Sequence, residues 1–359
     1  MIDFLVIGGG IAGTSAGARL STLGSVHLIE AEAALGYHAS GRSAALYEAS
    51  YGLPSTVALN IASGDYHRNT NGGYLSPRGL MVLARPEDKD AFDHDLGDLG
   101  LDEITPKEAI DRVPILNAET VARAGYHAAA WDIDTDRLIQ DFAKTIRSAG
   151  GQVDTSLKVL EIRRKLDGWH VHAGEIDVMA RHIVNAAGAW ADIIAGMAGI
   201  APIGLTPCRR SMVRIPPPDG HDLTHWPMIM GAGERWYAKP DAGKLLVSPA
   251  EEDPMAPMDA WPDDMVIAEG LARYEEMVST PVTRVEHSWA GLRSFSPDRA
   301  LVLGPDPDEP SFIWCAGQGG YGFQTSPAAS ALLADLMAGR APAVDADTVA
   351  ALSPKRFRQ

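Results

Sequence analysis

Three glycines and one acid near the start of the chain have the spacing of a phosphate-binding turn. Gly8, Gly10 and Gly13 read G-x-G-x-x-G, and Glu30, followed by Ala31, comes about 20 residues later. A pyrophosphate needs backbone N–H groups with no side chain in the way and a helix N-terminus aimed at it. Gly8 permits the tight turn, Gly10 the close approach of the phosphates, and Gly13 the close packing of helix on strand. A carboxylate at Glu30 can accept hydrogen bonds from ribose hydroxyls and would repel the 2′-phosphate of NADP. Near the other end, Gly317-Gln318-Gly319-Gly320-Tyr321-Gly322 leads into Phe323-Gln324-Thr325-Ser326. That second turn can bring another backbone segment and another helix N-terminus to the same ligand.

These residues work only if regular elements hold them. Residues 4–7 are an apolar run read as a buried strand. Residues 12–23 then read as a helix, and 26–29 as a second strand ending at Glu30. The result is the strand-turn-helix-strand unit of a dinucleotide fold, which by itself does not choose between NAD and FAD. Further strands are expected at 80–83, 158–163, 169–173, 181–185, 205–215, 236–239, 244–248, 284–292, 301–303 and 312–316. Helices are expected at 54–66, 86–99, 134–148, 262–278 and 324–337. The helix at 134–148 carries Leu138, Phe142 and Ile146 on one face and is stopped by Gly150 and Gly151. Thr105 and Pro106 mark another helix entry. Pro216 to Gly220 reads as a loop, and the Ala/Pro-rich tail beyond Ala338 as loose. Parallel units at the ends and middle, with antiparallel strands between, predict an α/β fold. Its Rossmann-like nucleotide domain comprises 1–75, 132–204 and 287–359. An antiparallel-sheet substrate domain, 76–131 and 205–286, interrupts it.

Composition bounds the function. The chain has 359 residues with 46% hydrophobic and 22% charged, as in ordinary globular proteins, and a net charge of −16 that disfavours nucleic acid and anionic membrane surfaces. Two cysteines, Cys208 and Cys315, make neither a disulfide framework nor a zinc spacing. The N-terminus lacks a positive region ahead of its apolar run, and 183–205 breaks into strand, turn and helix rather than a membrane span, so a cytoplasmic protein is expected. Eleven histidines show no H-x-x-x-H pair, so no metal is expected. His67, His94, His127, His182 and His221 read as loop or surface residues.

The glycine turn with Glu30, the loop from Gly36 to Ala45, the Asn185–Trp190 segment, Trp289-Ala290-Gly291-Leu292-Arg293 and the turn from Gly317 to Ser326 together resemble the D-amino-acid oxidase-like family of FAD enzymes. The resemblance covers nearly the whole chain in order. Within the family the chain is most similar to bacterial D-arginine dehydrogenases, through Gly36-Tyr37-His38, Gly41-Arg42-Ser43-Ala44-Ala45, Tyr237-Ala238-Lys239-Pro240-Asp241 and Gly319-Gly320-Tyr321-Gly322. It implies a glutathione-reductase-like FAD domain and non-covalent FAD. Gly8, Gly10, Ile11, Ala12, Gly13, Glu30 and Ala31 would hold the adenosine and pyrophosphate. Ser40, Gly41, Arg42, Ser43 and Ala44 would line the pyrophosphate and flavin, beside Ala187, Gly188 and Trp190. The Val159 backbone would meet the adenine. Gly319, Gly320, Tyr321, Gly322, Gln324 and Thr325 would face the pyrimidine end of the flavin with backbone N–H groups.

The implied chemistry is hydride transfer from the Cα of a D-amino acid, giving an imino acid that hydrolyses to a 2-oxo acid and ammonia. Arg293 would bind the α-carboxylate, because a guanidinium matches a carboxylate in bidentate fashion. Tyr51 and Tyr237 would close over it, Arg210 would lie near the side-chain end, and the Gly320 carbonyl and Gln324 would accept the amino protons. The chain departs from the arginine enzymes at Leu46, where they have a pocket histidine, and at Leu80, where they have the acid for the substrate guanidinium. An unpaired guanidinium in an apolar pocket is costly, so neutral or apolar D-amino acids are expected over D-arginine. A quinone or carrier is implied as electron acceptor, with oxygen as the alternative, and a monomer as the oligomeric state. Competing readings are a secondary-amine oxidase like sarcosine oxidase, a 2-hydroxy-acid oxidoreductase, and a flavin-free scaffold. Sarcosine oxidases attach FAD to a cysteine, and Gly291 stands at that place here.

Overall fold

The computed structural model describes residues 1–218 and 220–358; Asp219, in the expected loop 216–220, and Gln359 lie outside the described residues. Ile2–Ile7 is the central strand of an eight-stranded sheet, with Val26–Ile29 parallel on one side and Ile176–Asn185 parallel on the other. Gln152–Asp154 extends one edge, and Phe312–Ala316 pairs in parallel with Ile183, Val184 and Asn185. Antiparallel strands Gly168–Ala173 and Val159–Lys165 complete the other side. The parallel strands are buried on both faces, as their unbroken apolar runs require. Helices Ile11–Leu20, Thr135–Ser148 and Gly322–Met337 cover one face, and Pro54–Asn69 packs on the last of them.

The second sheet has nine strands. Thr206–Ile215 is its long member, paired antiparallel with Lys244–Ser248 and along its length with His287–Phe295. Tyr237–Asp241, Met228–Gly231, Leu80–Ala84, Arg123–His127 and Asp102–Ile104 continue it. The sheet is not wholly antiparallel as expected, since Met228–Gly231 runs parallel to Leu80–Ala84. A small third sheet, Leu46–Tyr47, Trp131–Ile133 and Leu75–Pro77, closes the seam between the other two.

The proposed division of the chain keeps the two large sheets apart at every strand but one. His287–Phe295, grouped by sequence with the nucleotide unit, hydrogen-bonds into the second sheet. Its alternation explains why: Ala290 and Leu292 pack into a small core with Ala189 and Ala260, while Gly291 and Arg293 face the other way. The tail is not loose either. Ala346–Leu352 is a helix capped by Asp345, whose carboxylate accepts the Thr348 N–H at 2.7 Å, and Leu352 is fully buried. Among the described residues no helix is long and apolar enough to cross a membrane, and no cluster of potential metal ligands occurs.

Candidate cofactor and substrate site

The glycine turn is built by contact, not by flexibility alone. Gly8 has φ +112°, and a Cβ there would lie 2.4 Å from the Ala186 carbonyl oxygen. A Cβ on Gly13 would lie 1.9 Å from the Gly8 carbonyl oxygen. Strand and helix therefore approach closer than any side chain allows. Glu30 sits at the tip of its strand, where Oε2 accepts the Gly9 N–H at 2.6 Å and Oε1 the Glu32 N–H at 2.8 Å. Those bonds aim the carboxylate and leave each oxygen a further lone pair for a ribose hydroxyl. Ser40 Oγ accepts the Ile11 N–H at 3.0 Å, which docks the 36–42 loop on the helix start. Gly41 closes that loop on the Gly36 carbonyl at 2.6 Å.

Between the sheets runs one large cavity, with about 1500 Å³ of empty space, part of it open to solvent. Gly10, Ile11 and Ala12 line it at the glycine turn, and Ser40, Arg42, Ser43 and Ala44 along the loop. Gly188, Gly319, Gly320, Gly322 and Gln324 line it opposite. Gly8, Gly13 and Gly41 lie behind the wall, as packing positions. Glu30 and the exposed Ala31 are not among the residues that line the cavity. Trp190 stacks obliquely on His38, with ring centroids 4.7 Å apart, next to half-buried Ala187. Val159 is a core residue paired with Ala173 outside the cavity.

Arg42 lines the cavity, but its charge is engaged elsewhere. Its guanidinium turns across the seam, donating to the carbonyls of Ala290 at 2.8 Å and Ala260 at 3.1 Å and pairing with Asp259. Three strong acceptors there outbid solvent, and Trp289 Nε1 donates back to the Arg42 carbonyl at 3.1 Å.

The second turn is held by Gly319, with φ +51°, whose N–H donates to the Ser294 carbonyl at 2.9 Å; a Cβ there would meet the Phe295 ring at 2.5 Å. Tyr321 caps the helix Gly322–Met337, and Thr325 spends its hydroxyl on the Tyr321 carbonyl at 2.9 Å. Gln324 is buried. Its Oε1 accepts the Glu48 N–H at 3.0 Å, which fixes the amide orientation and leaves Nε2 buried without a partner. Gln324 is thus a donor toward the cavity and not the acceptor expected from sequence. His67 Nε2 lies 3.0 Å from the Gln324 carbonyl, and burial pulls this imidazole down to about 4, so it is neutral and donates. His67 is wholly buried and His127 nearly so, not surface residues as expected.

Charge gathers at the other end of the cavity. Cys208 stands opposite Arg293, and Arg210 opposite Gly291, on paired strands. Arg210 and Arg293 are therefore diagonal neighbours on one face of the sheet, with a glycine between them giving room. Arg293 runs along Gly320, where a Cβ would lie 3.0 Å from its Nη1. It makes no hydrogen bond or ion pair with the protein among the described residues. Burial alone would lower its pKa, but Tyr237, Tyr51, Glu234 and Glu252 outweigh that, so it stays charged. Arg210 gives Nη2 to Glu252 at 3.0 Å and keeps Nε and Nη1 buried without partners. Tyr51 lies against Tyr321, with centroids 5.2 Å apart; burial and then Glu234 hold its hydroxyl well above the usual range, so it is a neutral donor. Tyr237 is buried in the same wall. Leu46, Leu80, Leu99, Met212, Met228 and Met230 make the remainder apolar.

Sequence reasoning missed Glu48, Glu234 and His127. Glu48 shares a face with Leu46, two residues back along an extended segment, and that alternation was the available signal. His127 reaches the site only through strand pairing, with Leu80 opposite it.

Comparison with known proteins agrees with the cradle. The family described as FAD dependent oxidoreductase matches residues 3–336, and the chain belongs to that family. It is 25% identical to a glycine oxidase of Geobacillus kaustophilus (strain HTA426), covering 96% of this chain and 94% of that one. It is 24% identical to FAD-dependent oxidoreductase domain-containing protein 1 of Bos taurus, covering 93% and 81%. The structure of L-proline dehydrogenase from P. horikoshii superposes with a TM-score of 0.83 at 21% identity, covering 99% of this chain and 97% of the other. The side-chain-free cradle, the helix starts and the orphaned Gln324 Nε2 fit FAD, the cofactor of this family.

Proposed function

We propose that this member of the FAD dependent oxidoreductase family oxidises the C–N bond of small amino acids, with D-amino acids of neutral or apolar side chain preferred over D-arginine. The observation that carries the reading is the unpaired, charged Arg293 in the cavity wall, with Arg210 diagonal to it. A half-buried guanidinium in the cavity wall with no hydrogen bond or ion pair to the protein is free to take a substrate carboxylate in bidentate fashion. Tyr51 and Tyr237 would donate to the same carboxylate. The Leu and Met wall leaves the side chain no acceptor for a guanidinium near Leu80. Glycine oxidase and L-proline dehydrogenase among the similar proteins support an amine nitrogen as the reacting group.

FAD, when bound, would supply the hydride-accepting centre, held non-covalently, since neither cysteine lines the cavity and Cys315 is buried with its thiol pushed up to about 12. The chain's own residues would orient the substrate, exclude water through the apolar wall, and donate hydrogen bonds from Gln324 Nε2 and the Gly320 and Gly322 N–H groups, since the Gly319 and Tyr321 N–H groups are taken by the Ser294 and Gln318 carbonyls. The acceptor for the electrons is taken to be a quinone or carrier.

The test is anaerobic bleaching of the purified holoenzyme with D-amino acids, L-amino acids, N-methyl amino acids and 2-hydroxy acids. Fast bleaching by D-leucine, D-methionine or D-phenylalanine and weak bleaching by D-arginine is the expected result. Bleaching only by N-methyl amino acids or hydroxy acids overturns the amino-acid reading, and strong D-arginine activity overturns the side-chain preference. Reoxidation by air against reoxidation by a quinone then separates oxidase from dehydrogenase.

A further inference from the structure

Glu48 is a buried carboxylate in the cavity wall for which the reading above has no use. It has few donors. Its Oε1 accepts the Ser50 N–H at 3.0 Å, and its Oε2 faces His127 Nε2 at 3.0 Å, off the direction of a straight hydrogen bond. The Ala129 N–H donates to His127 Nδ1 at 3.0 Å, so Nε2 carries the ring proton and lies beside Glu48 Oε2. The carboxylate is oriented by the Ser50 N–H and short of partners, and Oε1 keeps an uncommitted lone pair. No Lys or Arg pairs with it among the described residues.

A zwitterionic amino acid brings one anion and one cation into this cavity. The anion has Arg293. The cation needs a counter-charge, and it must also lose a proton before the Cα–H bond can break, because the nitrogen lone pair drives hydride departure. We propose that Glu48, oriented by the Ser50 N–H and with His127 beside its Oε2, takes that proton from the substrate ammonium. One N–H bond breaks, its electron pair stays on nitrogen, and an O–H bond forms on Glu48 Oε1. The charge of substrate plus carboxylate is unchanged by the step. Glu48 is then a catalytic residue and His127 a positioning residue. The assignment rests on the amino-acid reading above.

Other titratable or charged groups surround Glu48. Tyr47 and Tyr51 lie on its own segment, and His67 and Arg68 on the helix Pro54–Asn69. Asp132 is on the strand paired with Leu46 and is itself held by Arg78 and Lys239 at 2.6 and 2.8 Å. Glu234, Arg210 and Arg293 line the same cavity. His67 is neutral throughout the working range, and Asp132 has its own cations, so neither competes for the substrate proton.

The experiment is the pH dependence of anaerobic flavin reduction by the best amino acid of the panel, in wild-type holoenzyme, Glu48→Gln and His127→Leu. Glu48→Gln is expected to slow reduction about 100-fold at pH 7. It should recover as pH approaches the ammonium's own pKa, which a purely structural role would not produce. His127→Leu removes the donor beside Oε2, raises the basicity of Glu48 and moves the acid limb of the wild-type profile to higher pH. If Glu48→Gln does not retain flavin, His127→Leu reads the same point. Profiles that coincide with wild type in both variants overturn the assignment of Glu48 while leaving the amino-acid reading intact. If no amine reduces the flavin at all, the amino-acid reading falls and this assignment with it.

Discussion

The two ends of the cavity are built on opposite principles. At the nucleotide end the polar groups of the chain are largely satisfied: Glu30 by two backbone amides, Ser40 by Ile11, Arg42 by Asp259 and two carbonyls. What remains for the ligand is shape and backbone N–H groups. At the substrate end Arg293, two nitrogens of Arg210 and Gln324 Nε2 stand without protein partners. On the proposed reading, shape would bind a cofactor that stays, and unpaired charge would recognise a substrate that must leave. The first end should fail when packing is disturbed, and the second when charge is removed.

The largest effect is expected from Gly13→Ala. The added Cβ meets the Gly8 carbonyl at a distance no real contact shows, so the helix must move off the strand. A loss of about 3 kcal/mol of stability is expected. Purified protein should contain little or no flavin, checked by absorbance and thermal melting. Normal flavin content in this variant would break the comparison at the nucleotide end.

Arg293→Met comes next, and it should do the reverse. Removing the carboxylate partner is expected to cost about 2.7 kcal/mol of transition-state binding, roughly 10²-fold in kcat/KM. Flavin content should be unchanged and the melting temperature little altered, because Arg293 makes no hydrogen bond or ion pair with the protein among the described residues. Loss of flavin from this variant would show that the two ends are not separable.

His67 sharpens the boundary between the ends, since it holds the Gln324 carbonyl at the first turn of the last long helix. Its folded pKa of about 4 lies below the unfolded 6.5. The unfolded chain takes up the proton first, so its contribution is full above pH 6.5 and is lost as pH falls from there toward 4. The total is about 3 kcal/mol at 1.36 kcal/mol per unit. His67→Gln keeps a donor without the titration, and its melting temperature should fall less than wild type between pH 7 and 4.5. Parallel curves would remove His67 from this role.

The nucleotide end was legible in the sequence because its determinants are local. G-x-G-x-x-G, the apolar runs around it and Glu30 lie within thirty residues, and period and spacing report them directly. Arg293 and the tyrosines were legible only through family resemblance. What stayed hidden depends on distant pairing. Nothing in Arg42 announces Asp259, 217 residues away, and nothing in His127 announces Glu48. Gln324 was placed correctly in the wall, but its acceptor was already taken by the Glu48 N–H, a bond that only the fold reveals. The helix at Ala346–Leu352 was missed because Ala/Pro composition masked an Asp345 cap.

The Arg42 clasp has a consequence for how the protein comes into being. A ribosome releases the glycine turn and the 36–42 loop early, yet the acceptors that fasten the loop, Asp259, Ala260 and Ala290, emerge more than 200 residues later. The nascent chain therefore carries this loop unfastened until that later segment has emerged.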